Sequence, residues 1–115
     1  GYRSQAGGPI HRRVMECRIG HCWQVTDDII GQGSHLVESF LHFHPSFRLE
    51  KQGDVWIAAC RESNLRLRVA TMGGTAEREP SIYCPRFGVR QDNWMLVLRS
   101  EAVLPARLTY VIEKV

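Results

Sequence analysis

The sequence predicts an all-β fold, a two-layer antiparallel β-sandwich built as a single domain over residues 1–115. Three observations predict it. Short segments alternate apolar and polar residues with the period of two that is typical of strands. Turn signals rich in Gly, Pro, Asn and Asp separate these segments at short intervals. No segment keeps the 3.6-residue period of an amphipathic helix, and no repeat or linker divides the chain.

The first predicted strands are HRRVMECRI and CWQVTD, joined by a hairpin turn at Gly20-His21. In the first strand Met15 and Cys17 share one face, while Val14 lies on the other. The second strand continues the alternation with Trp23. Residues 1–10, which are rich in Gly and Pro, are interpreted as a lead-in segment.

The next predicted strand lies in HLVESFLHFHP, after a glycine-containing turn, IIGQGSH. Val37, Ser39 and Phe43 fall on one face of this strand. His42 and His44 fall on the opposite face, because residues two apart in a strand point the same way. Proline is unfavourable in a strand interior, so Pro45 ends the run.

The remaining predicted strands are SFRLEK, DVWIAAC, LRLRVA, NWMLVLRS and ARLTYVIEK. The turn signals between them are QGD, ESN, MGG, REP, FGVRQDN and LP. DVWIAAC is almost continuously apolar, which favours a buried strand. LRLRVA alternates leucine with arginine, which predicts one solvent-facing side.

Composition excludes several classes of protein. Hydrophobic residues make up 43% of the chain and charged residues 23%, as in ordinary globular domains. No apolar run approaches the roughly 20 residues of a membrane-spanning helix, so no membrane partner is expected. The net charge is +3. Because the basic residues form no dense run, no nucleic-acid partner is expected either.

The four cysteines are Cys17, Cys22, Cys60 and Cys84, and no two of them form a C-x-x-C pair. Four cysteines allow three pairings, and the sequence does not select one. The first three lie in apolar strand-like runs, which predicts buried free thiols.

His42 and His44 raise the question of a metal site, since two imidazoles on one strand face can bind one ion. The H-x-H pair resembles the cupin metal motif, but that motif requires a glycine at the position of Leu36. It also requires a glutamate nearer than Glu50 and a later histidine, and none follows His44. A structural strand end is the preferred interpretation, with a cupin-like metal-binding barrel as a less favoured alternative.

Other catalytic and binding patterns are weak. No nucleophile or phosphate-binding motif occurs. Asp27 and Asp28 are adjacent, so on a strand they would face opposite ways, and they are interpreted as turn residues. The larger aromatic residues, most of them expected in the core, could instead form a sugar-stacking platform and define a stand-alone carbohydrate-binding module. They are Trp23, Trp56, Tyr83, Trp94 and Tyr110.

The order of several phrases is similar to one known family. GY, HRRV, WQVTDDIIGQGSH and LHFHP, followed near the end by RFG and LPARLTYVI, resemble the carboxy-terminal β-sandwich of heparinase II/III-like polysaccharide lyases. The resemblance runs from about Gly1 to Ile112. In this family H-x-H-P is a strand-end signature, which favours a structural role for the two histidines.

The resemblance implies a longer parent protein with an amino-terminal α/α toroid that cleaves acidic polysaccharides by β-elimination. It implies that the catalytic base and acid, and zinc ligands in H-A-D and H-N-T phrases, belong upstream. None of those phrases occurs here. The chain alone is therefore expected to be inactive, without a catalytic residue, metal site or cofactor of its own, while the missing part of the parent could bind zinc.

The expected partners are the amino-terminal catalytic region of the parent and an acidic polysaccharide. Arg12 and Arg13 are the predicted contacts to an acidic sugar, because a guanidinium group binds carboxylate or sulfate through paired hydrogen bonds. The family resemblance also suggests a periplasmic or secreted parent. The polysaccharide itself and the oligomeric state are not predicted.

Overall fold

The structure, a computed structural model, describes residues 9–18, 20, 22–83 and 91–115. These residues form nine β-strands and no helix, and hence no helix able to cross a membrane. The strands are β1 (Ile10–Arg18), β2 (Cys22–Ile30), β3 (Ser34–His42), β4 (Phe47–Gln52), β5 (Val55–Cys60), β6 (Arg66–Met72), β7 (Thr75–Tyr83), β8 (Gln91–Val103) and β9 (Ala106–Lys114).

The strands form two antiparallel sheets. The larger sheet has the order β1-β2-β9-β6-β5-β4, and the smaller has the order β3-β8-β7. The predicted all-β, two-layer antiparallel sandwich is confirmed. The last strand, β9, lies between β2 and β6, so it joins the first hairpin to the β4-β5-β6 meander.

The core lies where the inward faces of the two sheets meet. Apolar residues at alternate positions of the strands in both sheets form this core, as the period-two pattern predicts. The fully buried members include Val25, Leu49, Val69, Leu96, Leu98, Leu108 and Tyr110. Burial of each such side chain stabilises the fold by roughly 1.5–3 kcal/mol before conformational entropy is subtracted.

The chain crosses from the larger sheet to the smaller one at Gly73 and Gly74, between β6 and β7. Gly73 has a φ of +100°, which L side chains rarely adopt. A Cβ atom at Gly73 would overlap the carbonyl oxygen of Arg107, and one at Gly74 would overlap that of Arg99. Only glycine fits this crossing without displacing the backbone of β8 or β9.

Strand β7 was not predicted, and the interpretation of REP as a turn is wrong. Pro80 lies within β7, opposite Trp94 of β8. The strand tolerates proline because it is an edge of the smaller sheet, where a missing N–H can face away from the neighbouring strand. The predicted turn FGVRQDN is also wrong at its end, since residues 91–93 lie in β8 and residues 87–90 lie outside the described part.

The prediction of buried thiols is wrong for the described cysteines. Cys17 is exposed, and Cys22 and Cys60 are free thiols that are only half-buried. Three strands cannot cover all six of the opposite sheet, so the inward side of edge strand β1 remains partly open, and Met15 is 65% exposed. Cys84 lies outside the described residues.

The outer face of the smaller sheet carries an ion-pair network over a buried valine. Arg99 lies 2.6 Å from Glu38 of β3 and 2.6 Å from Glu79 of β7. Glu79 is opposite Met95, four residues from Arg99 along β8, so the guanidinium group reaches along the strand past Val97. This explains why Val97 is fully buried on an outer face, under the aliphatic stem of an arginine.

Candidate functional site

A buried polar cluster joins the two sheets. The register of β1 and β2 places Arg13 opposite Asp27. Nε of Arg13 donates to Oδ1 of Asp27 at 2.7 Å, and Nη2 donates to Oδ2 at 2.9 Å. The hydroxyl of Ser39, from β3 in the other sheet, also donates to Oδ2. The fully buried carboxylate therefore fastens β1 and β2 to β3.

Backbone carbonyls complete the cluster. Nη2 of Arg13 donates to the carbonyl oxygen of Phe40 at 2.6 Å. The hydroxyl of the fully buried Tyr110, on β9, donates to the carbonyl oxygen of Ser39 at 2.8 Å. Buried polar groups require such partners, and here most of the donors and acceptors serve each other. The arrangement is that of a structural clamp.

The charges of the cluster stabilise each other. Burial alone would raise the pKa of Asp27, but hydrogen bonds from Arg13 and Ser39 outweigh it, and the pKa lies below its ordinary value. The hydrogen bonds to Asp27 raise the pKa of Arg13. Burial raises the pKa of Tyr110. At neutral pH the cluster therefore contains an ionised aspartate, a charged arginine and a neutral tyrosine.

His11 lies at the rim of the cluster. Its Nε2 atom is 3.4 Å from Oδ1 of Asp27, and this nitrogen is buried without a hydrogen-bond partner among the described residues. The side chain as a whole is 34% exposed. His11 and Arg13, whose side chain is 27% exposed, are therefore the two side chains through which the buried Asp27 carboxylate approaches the surface in the described part of the cluster.

The interpretation of Asp27 and Asp28 as turn residues is wrong, because both lie in β2. Their opposite orientation was predicted correctly: Asp27 faces the core, and Asp28 faces out and pairs with Arg107 at 2.7 Å. A signal for the cluster existed in the sequence. Arg12 and Arg13 precede Gly20, in the first hairpin turn, by the same numbers of residues by which Asp28 and Asp27 follow it.

The predicted sugar contacts occupy different environments. Arg12 lies on the outer face of β1, exposed and without an ion pair among the described residues. Arg13 lies on the inner face, and its Nε and Nη2 groups serve the cluster, with 27% of its side chain exposed. Neither contact is tested by these positions, and both stay predictions.

His42 and His44 lie at the end of β3 and after it. Nδ1 of His42 is 3.4 Å from the hydroxyl of Ser81 on β7. The backbone N–H of Ser46 donates to Nδ1 of His44 at 3.1 Å. Among the described residues, no three His, Cys, Asp or Glu side chains are grouped to hold a metal ion. The zinc that the family resemblance implies is expected in the upstream part of the parent, and this expectation stays a prediction.

The aromatic residues do not form an exposed platform in the described part. Tyr110 and Trp56 are buried, and the ring of Trp94 is covered by the guanidinium of Arg78 at 4.1 Å. Trp23 is half-buried on the inner face of β2. Tyr83 lies in β7, and its side chain is outside the described part.

The pKa of the Cys60 thiol lies below its ordinary value. The hydroxyl of Ser63 hydrogen-bonds the thiol and lowers its pKa, with smaller contributions from the Glu62 backbone and Ser46. We expect Ser63→Ala to raise the pKa and slow alkylation of Cys60 near pH 8, because only the thiolate reacts. Peptide-resolved mass spectrometry across a pH series measures this rate.

The matched control for that experiment is Ser46→Ala, which removes a weaker hydrogen bond and should shift the alkylation profile less. Equal profiles for the parent chain and Ser63→Ala would contradict the assigned cause.

Comparison with known proteins identifies the domain. The family model described as heparinase II/III-like, C-terminal, matches residues 1–109. The chain belongs to the heparinase II/III-like carboxy-terminal domain family. No curated protein matches this heparinase II/III-like domain.

A solved structure described as a heparinase III gene product with methylated lysines has a similar fold. It superposes with a TM-score of 0.74 at 14% sequence identity, and the match covers 94% of this chain. The same match covers 18% of that chain, so the heparinase II/III-like domain spans under a fifth of the structure it resembles. At this identity, the likeness shows the fold.

Proposed function

We propose that this heparinase II/III-like domain is the carboxy-terminal β-sandwich of a longer polysaccharide lyase and has a structural, non-catalytic role there. The observation that carries the proposal is the family match over residues 1–109, together with a fold that corresponds to 18% of a heparinase III chain. The longer protein would cleave acidic polysaccharides by β-elimination, with its base and acid supplied by an amino-terminal catalytic region.

The chemistry of the buried cluster supports a non-catalytic role. A general base must come within hydrogen-bond reach of the proton that it removes. Asp27 is fully buried and already accepts hydrogen bonds from Arg13 and Ser39. Tyr110 is also fully buried and donates to a carbonyl oxygen. Neither side chain has exposed surface, so neither is in reach of a polysaccharide bound on the outside of the domain.

Within the longer protein, the domain would pack against the catalytic region and form one wall of a glycan cleft. Arg12 and Arg13 are the proposed contacts to an acidic sugar. Arg12 is the more available of the two, since its guanidinium has no ion pair among the described residues, whereas Arg13 serves the cluster.

A β-elimination assay tests this function. Cleavage of a uronic acid-containing chain leaves an unsaturated sugar that absorbs in the near ultraviolet. We expect the longer protein to produce this absorbance from at least one acidic polysaccharide, and the 115-residue chain to produce none. Product from the short chain alone would contradict the non-catalytic role. Failure of the longer protein across heparin, alginate and related polymers would contradict the lyase assignment.

A further inference from the structure

A polar groove lies on the outer face of the larger sheet, at the edge opposite β1. It runs over β4, β5 and β6 and has a volume of about 500 Å³. This volume is within the range of small-molecule binding sites. The groove faces solvent and is separate from the Arg13–Asp27 cluster, which lies between the sheets.

The register of the strands explains the concave shape. Arg48 of β4 and Arg66 of β6 are both paired with Ala59 of β5, so the three residues form one row across the sheet. Neighbouring strands are about 4.8 Å apart, which places the two arginine backbones about 10 Å apart. A methyl group between two long side chains leaves a channel along β5, and Ile57 continues its floor.

The two arginines are available to a ligand. Neither Arg48 nor Arg66 has an ion pair or side-chain hydrogen bond with any described residue, and both are exposed. By contrast, Arg13, Arg99 and Arg107 are each paired with carboxylates. The groove therefore has a guanidinium group without an ion pair among the described residues on each of its two sides.

The remaining lining selects the chemistry of the ligand. Glu50 lines the groove one row away from the arginines, so an anion is favoured at the Arg48–Ala59–Arg66 row and disfavoured beside Glu50. Asn64 and Gln52 supply amide groups that can hydrogen-bond hydroxyls. None of the described residues that line the groove is aromatic, which disfavours a neutral sugar bound by stacking.

We propose that this groove binds an acidic oligosaccharide, with Arg48 and Arg66 holding its carboxylate or sulfate groups and Glu50 and the amides contacting its hydroxyls. Guanidinium groups bind such oxyanions through paired, charge-assisted hydrogen bonds. The choice of a saccharide as the carrier of the anion rests on the proposed function. The site would hold substrate or product away from the catalytic region.

Titration of the 115-residue chain tests the groove. Alginate and heparin oligosaccharides are titrated separately and followed by NMR shifts of the groove backbone and by calorimetry. We expect binding that weakens as salt is added, because exposed charges are screened. Arg48→Gln and Arg66→Gln should each weaken binding by about tenfold, as expected for loss of a charge-assisted contact.

Two further variants separate a built site from general electrostatics. Ala59→Leu fills the floor without changing the charge, and it should weaken binding by a similar factor. Arg61→Gln removes another arginine that has no ion pair among the described residues. Arg61 lies beside Pro45 and Trp94, in a different depression, and its substitution should leave the affinity within about twofold. Circular dichroism confirms that each variant is folded.

Several outcomes would overturn the proposal: no binding to either oligosaccharide, unchanged affinity in both Ala59→Leu and Arg48→Gln, or an equal loss in Arg61→Gln. Inorganic phosphate and sulfate are titrated as competitors. If either displaces the oligosaccharide at equal concentration, the groove is a simple anion site and the proposal is wrong. The β-elimination assay is independent of these results. Lyase activity without groove binding rejects the groove alone, and groove binding without lyase activity rejects only the proposed parent reaction.

Discussion

Asp27→Asn is expected to lower the free energy of unfolding by about 3 kcal/mol or more at pH 7. The carboxylate is fully buried and holds the guanidinium of Arg13 and the hydroxyl of Ser39. Its neutralisation leaves Arg13 charged and without its ionic partner, between the sheets. Urea denaturation followed by tryptophan fluorescence measures the loss.

The matched control is Asp28→Asn, which makes the same substitution at the next residue of β2. Asp28 faces out and pairs with Arg107, whose side chain is 69% exposed. Exposed pairs contribute little to stability, so a much smaller loss is expected. Equal losses in the two variants would contradict the structural role assigned to the cluster.

The pH dependence of the same variant provides a second readout. Because the pKa of Asp27 is lower in the folded chain than in the unfolded chain, its contribution is present at neutral pH. It is lost as the pH falls through the folded pKa, which lies below the ordinary pKa of an aspartate. The stability difference between the parent chain and Asp27→Asn should therefore narrow in acid. A constant difference down to acid unfolding would contradict the assignment.

Gly73→Ala is expected to destabilise the fold by about 3 kcal/mol or more. Two effects combine at this position. The φ of +100° is unfavourable for alanine, and the added methyl group would overlap the carbonyl oxygen of Arg107. The crossing between the sheets must then shift away from β9. Thermal and urea unfolding measure the effect.

Gly53→Ala separates strain from overlap. Gly53 also has a positive φ, +64°, in the β4–β5 turn, but a Cβ atom there would meet nothing within 4 Å. We expect a loss of only about 1 kcal/mol, the strain of a left-handed residue. If Gly53→Ala and Gly73→Ala lose the same free energy of unfolding, then close packing against β9 is not the reason that position 73 requires glycine.

Much of the fold was predictable because the buried strands carry their own pattern. DVWIAAC and ARLTYVIEK are apolar at the positions that face the core, and both became strands. β7 was missed because its inward face carries Arg78 and Pro80 where the pattern requires apolar residues. Arg78 is accommodated there by stacking on Trp94 and by donating to the carbonyl oxygen of Leu49 at 2.8 Å. Such compensation depends on residues distant in the sequence.

The polar cluster was less predictable, since its geometry depends on one loop length. A two-residue turn at Gly20-His21 would pair Arg18 with residue 23, and Arg13 with Asp28. In the observed register Arg18 is opposite Cys22, which brings Arg13 opposite Asp27. A register shift of one residue moves side chains to the other face of a sheet, so the charges were visible in the sequence but their burial was not.

We propose that these residues support a longer lyase without performing its chemistry. Removal of residues 1–115 from the longer protein tests this most directly, with lyase rate per folded molecule measured beside the melting temperature. We predict a lower melting temperature and a substantial rate for the truncated protein while it remains folded. The contrary result is a truncated protein that is folded, with an unchanged melting temperature, but whose lyase rate has fallen to background. That result would show that the β-sandwich takes part in the reaction.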